Sequence, residues 1–479
     1  MPRRILALAE LLTVSNFVTA GQNFIRSILR DPSMAVRLGA FLAMFIAFSA
    51  TAESAFRELT LEEAIELAIK QNKEIAIARL SIDKADAQVN EAFGNALPTV
   101  SLSASYNRNI QLPVFFITTE GGQVQSLQIG ADNNYVMGAQ ASQILFNSAV
   151  FTGIGAANIY ADGAREQYKA AVAKVVTEVK RLYYGALAAR QYVNIAEATL
   201  TNAQQSYETV NALFKEGMVA EYDNIRANVA VENVRPQVTE ARAGYNNAVS
   251  ALATYLAISL VDSIEVVSGQ LDDLKPLPEE AVAIKSAMEN NYELKALEYQ
   301  LQVLDAIVDV NRATYYPSLT LIGNWQNQGV KNDELSVWNS VSTSFVGLNF
   351  QFNIFNGLRT IAKVEQAQVD YLTAQQQYQN MENIVQLQVR TSVNNLRSAL
   401  ERIDAQRSTV EQAQRGLDIA RIRYTEGTGN LLEINDAEVA LARAQVNRLQ
   451  ALLDYYTRRA EYERVVGEVP PRYLQIQEN

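Results

Sequence analysis

The sequence predicts a mixed α and β fold made of two similar halves, in which alternating strands feed very long helices. Three observations predict it. Leu97-Pro98-Thr99-Val100-Ser101-Leu102 returns as Tyr316-Pro317-Ser318-Leu319-Thr320-Leu321, Ile144-Leu145-Phe146-Asn147 as Asn353-Ile354-Phe355-Asn356, and Phe214-Lys215-Glu216-Gly217 as Tyr424-Thr425-Glu426-Gly427, in the same order and 219, 209 and 210 residues apart. After each Pro-led motif the apolar period changes from helical to alternating. Residues 164–216 hold no Pro and one Gly, and residues 358–424 likewise, so nothing breaks a helix across either stretch. This self-similarity predicts one architecture made by duplication.

In chain order, Thr60 and Glu63 form a capping box, and a helical pattern runs to about Phe93, where Gly94 and Pro98 end it. From Thr99, Val100, Leu102, Ala104 and Tyr106 share one side of a strand, opposite Ser101, Ser103 and Ser105. Residues 110–134, with Gly121-Gly122, read as a loop, and 135–146 as a second strand. A helix over 148–214 would run ~100 Å at 1.5 Å per residue. Gly217 turns the chain into a helix reaching about Ile258, which Pro236 should kink. The second half repeats the order: helix 280–314, strand 318–326, loop 327–343, strand 344–355, helix 358–424, a Gly427–Gly429 turn, and helix 431–466.

Before the first half, Met34-Ala35-Val36-Arg37 is a basic start, Leu38–Phe48 an apolar core too short to span a bilayer, and Ala50-Thr51-Ala52 a small-x-small site. This predicts an export leader over 1–52, cut after Ala52, with 1–33 superfluous if translation begins at Met34. One long leader from Met1, or a retained anchor, are the alternatives. The remaining divisions are a first repeat at 53–258, a linker at 259–280, a second repeat at 281–468 and a tail at 469–479.

The chain has 479 residues, no Cys and no His. This excludes thiolate and imidazole catalysis, a Ser-His-Asp triad, the usual zinc sites and a lipidated N-terminal Cys. No cofactor is expected. The net charge of -11 argues against nucleic acid. Gly153-Ile154-Gly155 lacks the third Gly of a nucleotide loop. No stretch after the leader is long and apolar enough for a membrane helix, so any span must use strands.

Aromatic residues at both strand ends suit a membrane barrel, although the same alternation suits a half-buried soluble sheet. Four strands cannot close a barrel, and an open sheet in lipid leaves backbone edges unpaired at several kcal/mol each. On the membrane reading, several chains must share one barrel. The helices alternate apolar and polar residues in narrow seams, as coiled coils do.

The Pro-led strand starts, the Phe-Asn strand-to-helix junctions, the paired Glu-Gly turns and Asn435-Asp436-Ala437-Glu438 together resemble the TolC family of outer-membrane channel proteins, over nearly all of 59–468. The resemblance implies a homotrimer with a 12-stranded transmembrane β-barrel, four strands per chain, continued by an α-helical periplasmic tunnel. It implies a passive efflux or type I secretion duct in outer-membrane lipid, joined through a periplasmic adaptor to an inner-membrane transporter. On matching positions it implies an acidic gate ring at Glu433 and Asp436, a closed-state latch at Tyr424 and Asp223, and adaptor docking at Gly217, Met218, Val219 and Gly427, Thr428, Gly429. Six carboxylates around a trimer axis would attract cations and could bind divalent metals. Where the family carries an Arg in the gate turn this chain has Gly429, which predicts one link fewer. The competing readings are an exported adaptor or coiled-coil scaffold, and a carboxylate-based enzyme that only unplaced Asp and Glu support. Cargo, transporter class and opening mechanism are not encoded in these motifs.

Overall fold

A computed structural model describes residues 57–118, 121–258, 264–267, 274–332 and 337–475. The expected leader and most of the linker lie outside these residues. The chain divides into two compact units, 1–58 with 261–265, and 59–260 with 266–479. A short sheet pairs β1 (Arg57–Leu59) with β6 (Ile264–Val266). Everything below concerns the larger unit.

Its first half contains α1 (Leu61–Gln71), α2 (Lys73–Gly94), β2 (Thr99–Arg108), β3 (Val114–Thr118), β4 (Val124–Gln128), β5 (Asn133–Asn147), α3 (Ser148–Lys215) and α4 (Glu221–Tyr255). Its second half contains α5 (Glu280–Asn290), α6 (Tyr292–Arg312), β7 (Ser318–Lys331), β8 (Asn339–Gln351), α7 (Arg359–Thr425), α8 (Leu431–Val466) and the short α9 (Pro471–Leu474). The expected capping box forms: Glu63 N–H donates to Thr60 Oγ1 at 3.3 Å and Thr60 N–H to Glu63 Oε2 at 3.1 Å. Pro236 is accommodated inside α4.

The structure corrects the expected single helices before each strand, because a buried Asn interrupts both. Asn72 accepts from Glu74 N–H at 2.8 Å, so starting α2, and its Nδ2 donates to Tyr255 O at the end of α4. Asn291 accepts from Leu294 N–H at 2.9 Å, so starting α6, and donates to Val465 O at the end of α8. Each Asn caps one helix and satisfies an orphan carbonyl of another. The two stand 219 residues apart, the same offset as the Pro-led motifs.

Helices α3 and α7 have 68 and 67 residues, ~100 Å each at 1.5 Å per residue. Helix α3 packs along α4 and α8, and α7 along α8. The seams use small residues at coiled-coil spacing. In α7, Thr360, Ala367 and Ala374 are buried seven apart, followed by Val385, Val389, Val393, Leu396, Ala399 and Ile403. A strict seven-residue repeat winds neighbouring helices into a left-handed supercoil.

Candidate functional site: the sheet and the helix tips

The four long strands form one antiparallel sheet in the order β2-β5-β7-β8. The halves join in its middle, where β5 pairs with β7 from Asn133↔Lys331 to Asn147↔Ser318. Because side chains alternate, the register fixes two faces. One is mostly apolar, with Val100, Leu102, Ala104, Tyr106, Tyr135, Met137, Ala139, Ala141, Leu319, Leu321, Trp325, Val346, Leu348 and Phe350, interrupted by Gln143, Asn327, Ser340, Ser342 and Ser344. The other is mostly polar, with Ser101, Ser103, Ser105, Asn107, Gln140, Ser142, Thr320, Asn324, Gln326, Gln328, Thr343 and Asn349, and with Val136, Ile322, Val330, Val341 and Phe345 among them. The only charged residues in these strands are Arg108 and Lys331, both at the end away from the long helices.

On the apolar face, Tyr106 and Tyr135 pair directly and Trp338 packs edge-on against both, at 6.5 and 5.1 Å between ring centroids. Tyr315, Tyr316, Phe352 and Phe355 are exposed beside the helix end. Trp325 sits at mid-height opposite Ala139. From the Gly329 row to the Leu319 row is ten residues of β7, ~33 Å of strand, which tilted by ~40° stands ~25 Å tall. That is the height of an outer-membrane apolar band. Among the described residues, the outer edges of β2 and β8 pair with no strand.

At the far ends of the long helices the two turns have identical backbone bonding. Met218 N–H donates to Leu213 O and Gly217 N–H to Phe214 O; Thr428 N–H donates to Arg423 O and Gly427 N–H to Tyr424 O. Both Gly217 and Gly427 have φ of +74°, as this type of helix ending requires. Met218 is exposed, whereas Val219 turns inward to pack with Val210, Ala227 and Leu431. Thr428 bonds back to Arg423 through its hydroxyl at 3.2 Å. A side chain on Gly429 would begin 3.0 Å from Arg423 Cβ, so this Gly is needed for close approach within the turn.

Glu433 does not stand alone. Arg423 Nη1 lies 3.0 Å from Glu433 Oε2, while Arg423 Nη2 donates to Thr428 O at 3.2 Å. Asn430 caps α8 by accepting from Glu433 N–H at 3.0 Å. The turn therefore holds a cation inside its own hairpin. Asp436 is exposed, one turn further along α8. Among the described residues no group of three or more acidic side chains is assembled to hold a metal ion.

Tyr424 packs between the two hairpins, against Val210, Ala227 and Leu431. Burial pushes its phenol above the ordinary value of 10.0, and the Asp223 carboxylate pushes the same way. Asp223 is thus near, but the two are not hydrogen-bonded within the chain: the Tyr424 hydroxyl is buried without a partner. It borders a cavity of about 190 Å³ that Ser206, Thr209 and Arg421 also line.

One inter-hairpin link was missed from the sequence. Glu438, 8% exposed, accepts from Ser206 Oγ at 2.9 Å and from Arg421 Nη2 at 3.2 Å, and Arg421 also donates to Asn202 Oδ1 at 3.0 Å. The signal was present: Glu438 takes a seam position among Leu431, Ile434 and Leu441, where a carboxylate needs a buried partner.

Further along α8, Glu463 gathers Lys180 at 2.5 Å, Arg459 at 3.1 Å and Lys275 at 3.4 Å. Burial alone would raise its carboxyl, but Lys180 and the other cations outweigh this and hold it below the ordinary value.

A sheet charged only at one end, with one mostly apolar face and one rich in hydroxyls and amides, carried on ~100 Å helices, is the construction of a membrane-embedded channel subunit. The chain belongs to the outer membrane efflux protein family, whose model matches residues 64–257 and 283–468, one stretch in each half. It is 25% identical over 410 residues to the probable outer membrane lipoprotein SilC of Salmonella typhimurium, covering 84% of this chain and 82% of that protein. It is 23% identical over 430 residues to the alkaline protease secretion protein AprF of Pseudomonas aeruginosa, covering 88% and 89%. The CmeC outer membrane channel of Campylobacter jejuni shares the fold, with a TM-score of 0.67 at 22% identity over 85% of each chain. The protein is accordingly an outer-membrane channel protein that extends into the periplasm.

Proposed function

We propose that three copies of this chain close one 12-stranded barrel and that the assembly is the passive exit duct of an efflux or type I secretion system. The carrying observation is the pair of open edges on β2 and β8. In lipid each unpaired backbone group costs several kcal/mol, and only a closed barrel removes an edge. Joining the β8 of one copy to the β2 of the next continues the antiparallel order, leaves the apolar face to lipid and turns the polar face to the lumen. The lumen is then uncharged through the bilayer, which suits a conduit for varied cargo. The kinship with a protease secretion protein supports secretion as well as efflux.

In this reading residues 1–52 direct export, and 53–258 and 281–468 are the duplicated wall-building repeats. The helices cross the periplasm, and their tips form the gate. Three copies bring Glu433 and Asp436 around one axis, Tyr424 and Asp223 latch neighbouring hairpins, and a periplasmic adaptor driven by an inner-membrane transporter docks at Met218, Thr428 and the glycines beside them. Purified protein reconstituted in planar bilayers should form trimers with defined single-channel steps; absence of pore-forming trimers would sink the reading. Glu433→Ala with Asp436→Ala should weaken cation preference and divalent block, and unchanged selectivity would remove these two residues from the gate.

A further inference from the structure

The segment expected as a loop between the first two barrel strands folds as a hairpin. Strand β3 pairs with β4 through Val114↔Gln128, Phe115↔Leu127, Phe116↔Ser126, Ile117↔Gln125 and Thr118↔Val124. It is out of step with the sheet below it. There Arg108 pairs with Asn133 and Asn109 N–H donates to Asp132 O, whereas above them Ile129 N–H donates to Pro113 O. The extra residue lies in 110–112, three residues opposite the two at 130–131, where Gly130 takes a φ of +126°. A one-residue slip flips a strand's side chains to the other face. Because Val114 to Ile117 is an unbroken apolar run, the hairpin has apolar groups on both faces: Phe115, Ile117 and Leu127 on one, Val114, Phe116 and Val124 on the other. All six are exposed in the single chain, Phe116 by 74%.

Such a surface requires a dry partner, and its place excludes the acyl chains. The hairpin lies beyond the Tyr106–Tyr135–Trp338 cluster and beyond the charged level of Arg108, Asp132 and Lys331. A sugar- and phosphate-bearing membrane surface is polar and anionic, and residues 109–129 carry no Lys or Arg to meet it.

We propose that the occupant is the same hairpin of the other copies, three of them meeting over the outer mouth of the barrel as an apolar cap. The proposal rests on the three-copy barrel proposed above. A 12-stranded barrel with strands ~4.8 Å apart and tilted ~40° has a radius of ~12 Å. A five-residue hairpin is ~17 Å long, enough to reach the axis from the rim. Around a threefold axis each hairpin meets one neighbour with each face, so both faces must be apolar, as they are here. A hairpin lying on one surface would need only one.

The chain has no native Cys, so Phe116→Cys and Leu127→Cys introduce single thiols on opposite faces. Because each hairpin presents opposite faces to its two neighbours, mild oxidation of purified trimers should join neighbours covalently on denaturing gels when both thiols are present in one chain, and should leave each single variant unlinked. Replacing Phe115, Phe116 and Leu127 together by Ser should raise single-channel conductance without altering the trimer. Intact trimers of the double-thiol variant that give no covalent band, or a fluorophore at position 116 quenched by lipid-phase quenchers, would overturn the cap and leave the duct standing. Loss of the trimer in the unsubstituted protein would overturn both.

Discussion

Removing the Glu438 carboxylate is expected to loosen the two helical hairpins from each other. In Glu438→Ala, Arg421 loses its charge partner and Ser206 its acceptor, while Arg421 keeps Asn202. Breaking a fully buried pair costs ~3–5 kcal/mol and breaking an exposed one ~0–1 kcal/mol. The Glu438 side chain is 9% exposed and that of Arg421 35%. Water therefore still reaches the orphaned guanidinium, and the cost falls between the limits, at about 2 kcal/mol. Such a loss multiplies local opening by up to about 30-fold. Hydrogen exchange at the ends of α3 and α8 reads this directly, whereas a global melting temperature dilutes it across the chain. A cycle of Glu438→Ala, Arg421→Ala and the double variant isolates the pair. Coupling of about 1–2 kcal/mol is expected, with raised basal conductance in both single variants. Additivity within ~0.5 kcal/mol would refute the idea that this pair ties α7 to α8 beside the Ser206 and Asn202 contacts that join the hairpins.

Three further outcomes are expected. Glu463→Gln should destabilise the region where α3 meets α8, since Lys180 and Lys275 lose this charge partner and Arg459 keeps only Glu468. Because the native carboxyl is held below its ordinary 4.5, its stabilisation is present above that pH and fades as pH falls through the native value; acid unfolding should show this limb in the native chain and lack it in Glu463→Gln. Tyr183 donates to Leu59 O and Val267 O at 3.2 Å, and burial raises its phenol to about 12. Its contribution is present below pH 10 and is lost as pH rises toward 12, so Tyr183→Phe should cost about 1 kcal/mol at neutral pH and flatten alkaline unfolding. The Tyr135 ring covers Gly329, where an added Cβ would collide with it; Gly329→Ala should expel the ring, break the Tyr135–Asn327 hydrogen bond and lower the temperature at which trimers dissociate in detergent.

Much of this architecture was legible in the sequence wherever Gly or Pro punctuates it. Helix α8 was expected at 431–466 and is found there, and α7, expected to end at 424, ends at Thr425. The misses have physical causes. Strand β7 runs to Lys331 rather than 326 because its inner face is Asn and Gln, residues that suit a wet lumen but not an ordinary strand. The β3–β4 hairpin was hidden by Gly121, Gly122 and Gly130, which resemble a loop until pairing is visible. The helix breaks at Asn72 and Asn291 were hidden because apolar spacing continues across them. At the tips, Glu433 and Asp436 were visible as acidic neighbours on one helix, but the ion pair of Glu433 with Arg423 spans a turn whose geometry the sequence does not display.

The sequence by itself determined the four long alternating strands, the lengths of α3, α7 and α8, and the repeated turns. These depend on local periodicity and on Gly and Pro conformations, which neighbouring residues settle. Only the tertiary structure decided that β5 and β7 join the halves, that β2 and β8 are left with open edges, and that Glu438 reaches Arg421 and Ser206. Those are pairings between segments up to about two hundred residues apart, and many registers satisfy the same alternation. One is selected when the whole set of backbone groups and buried charges must be satisfied together.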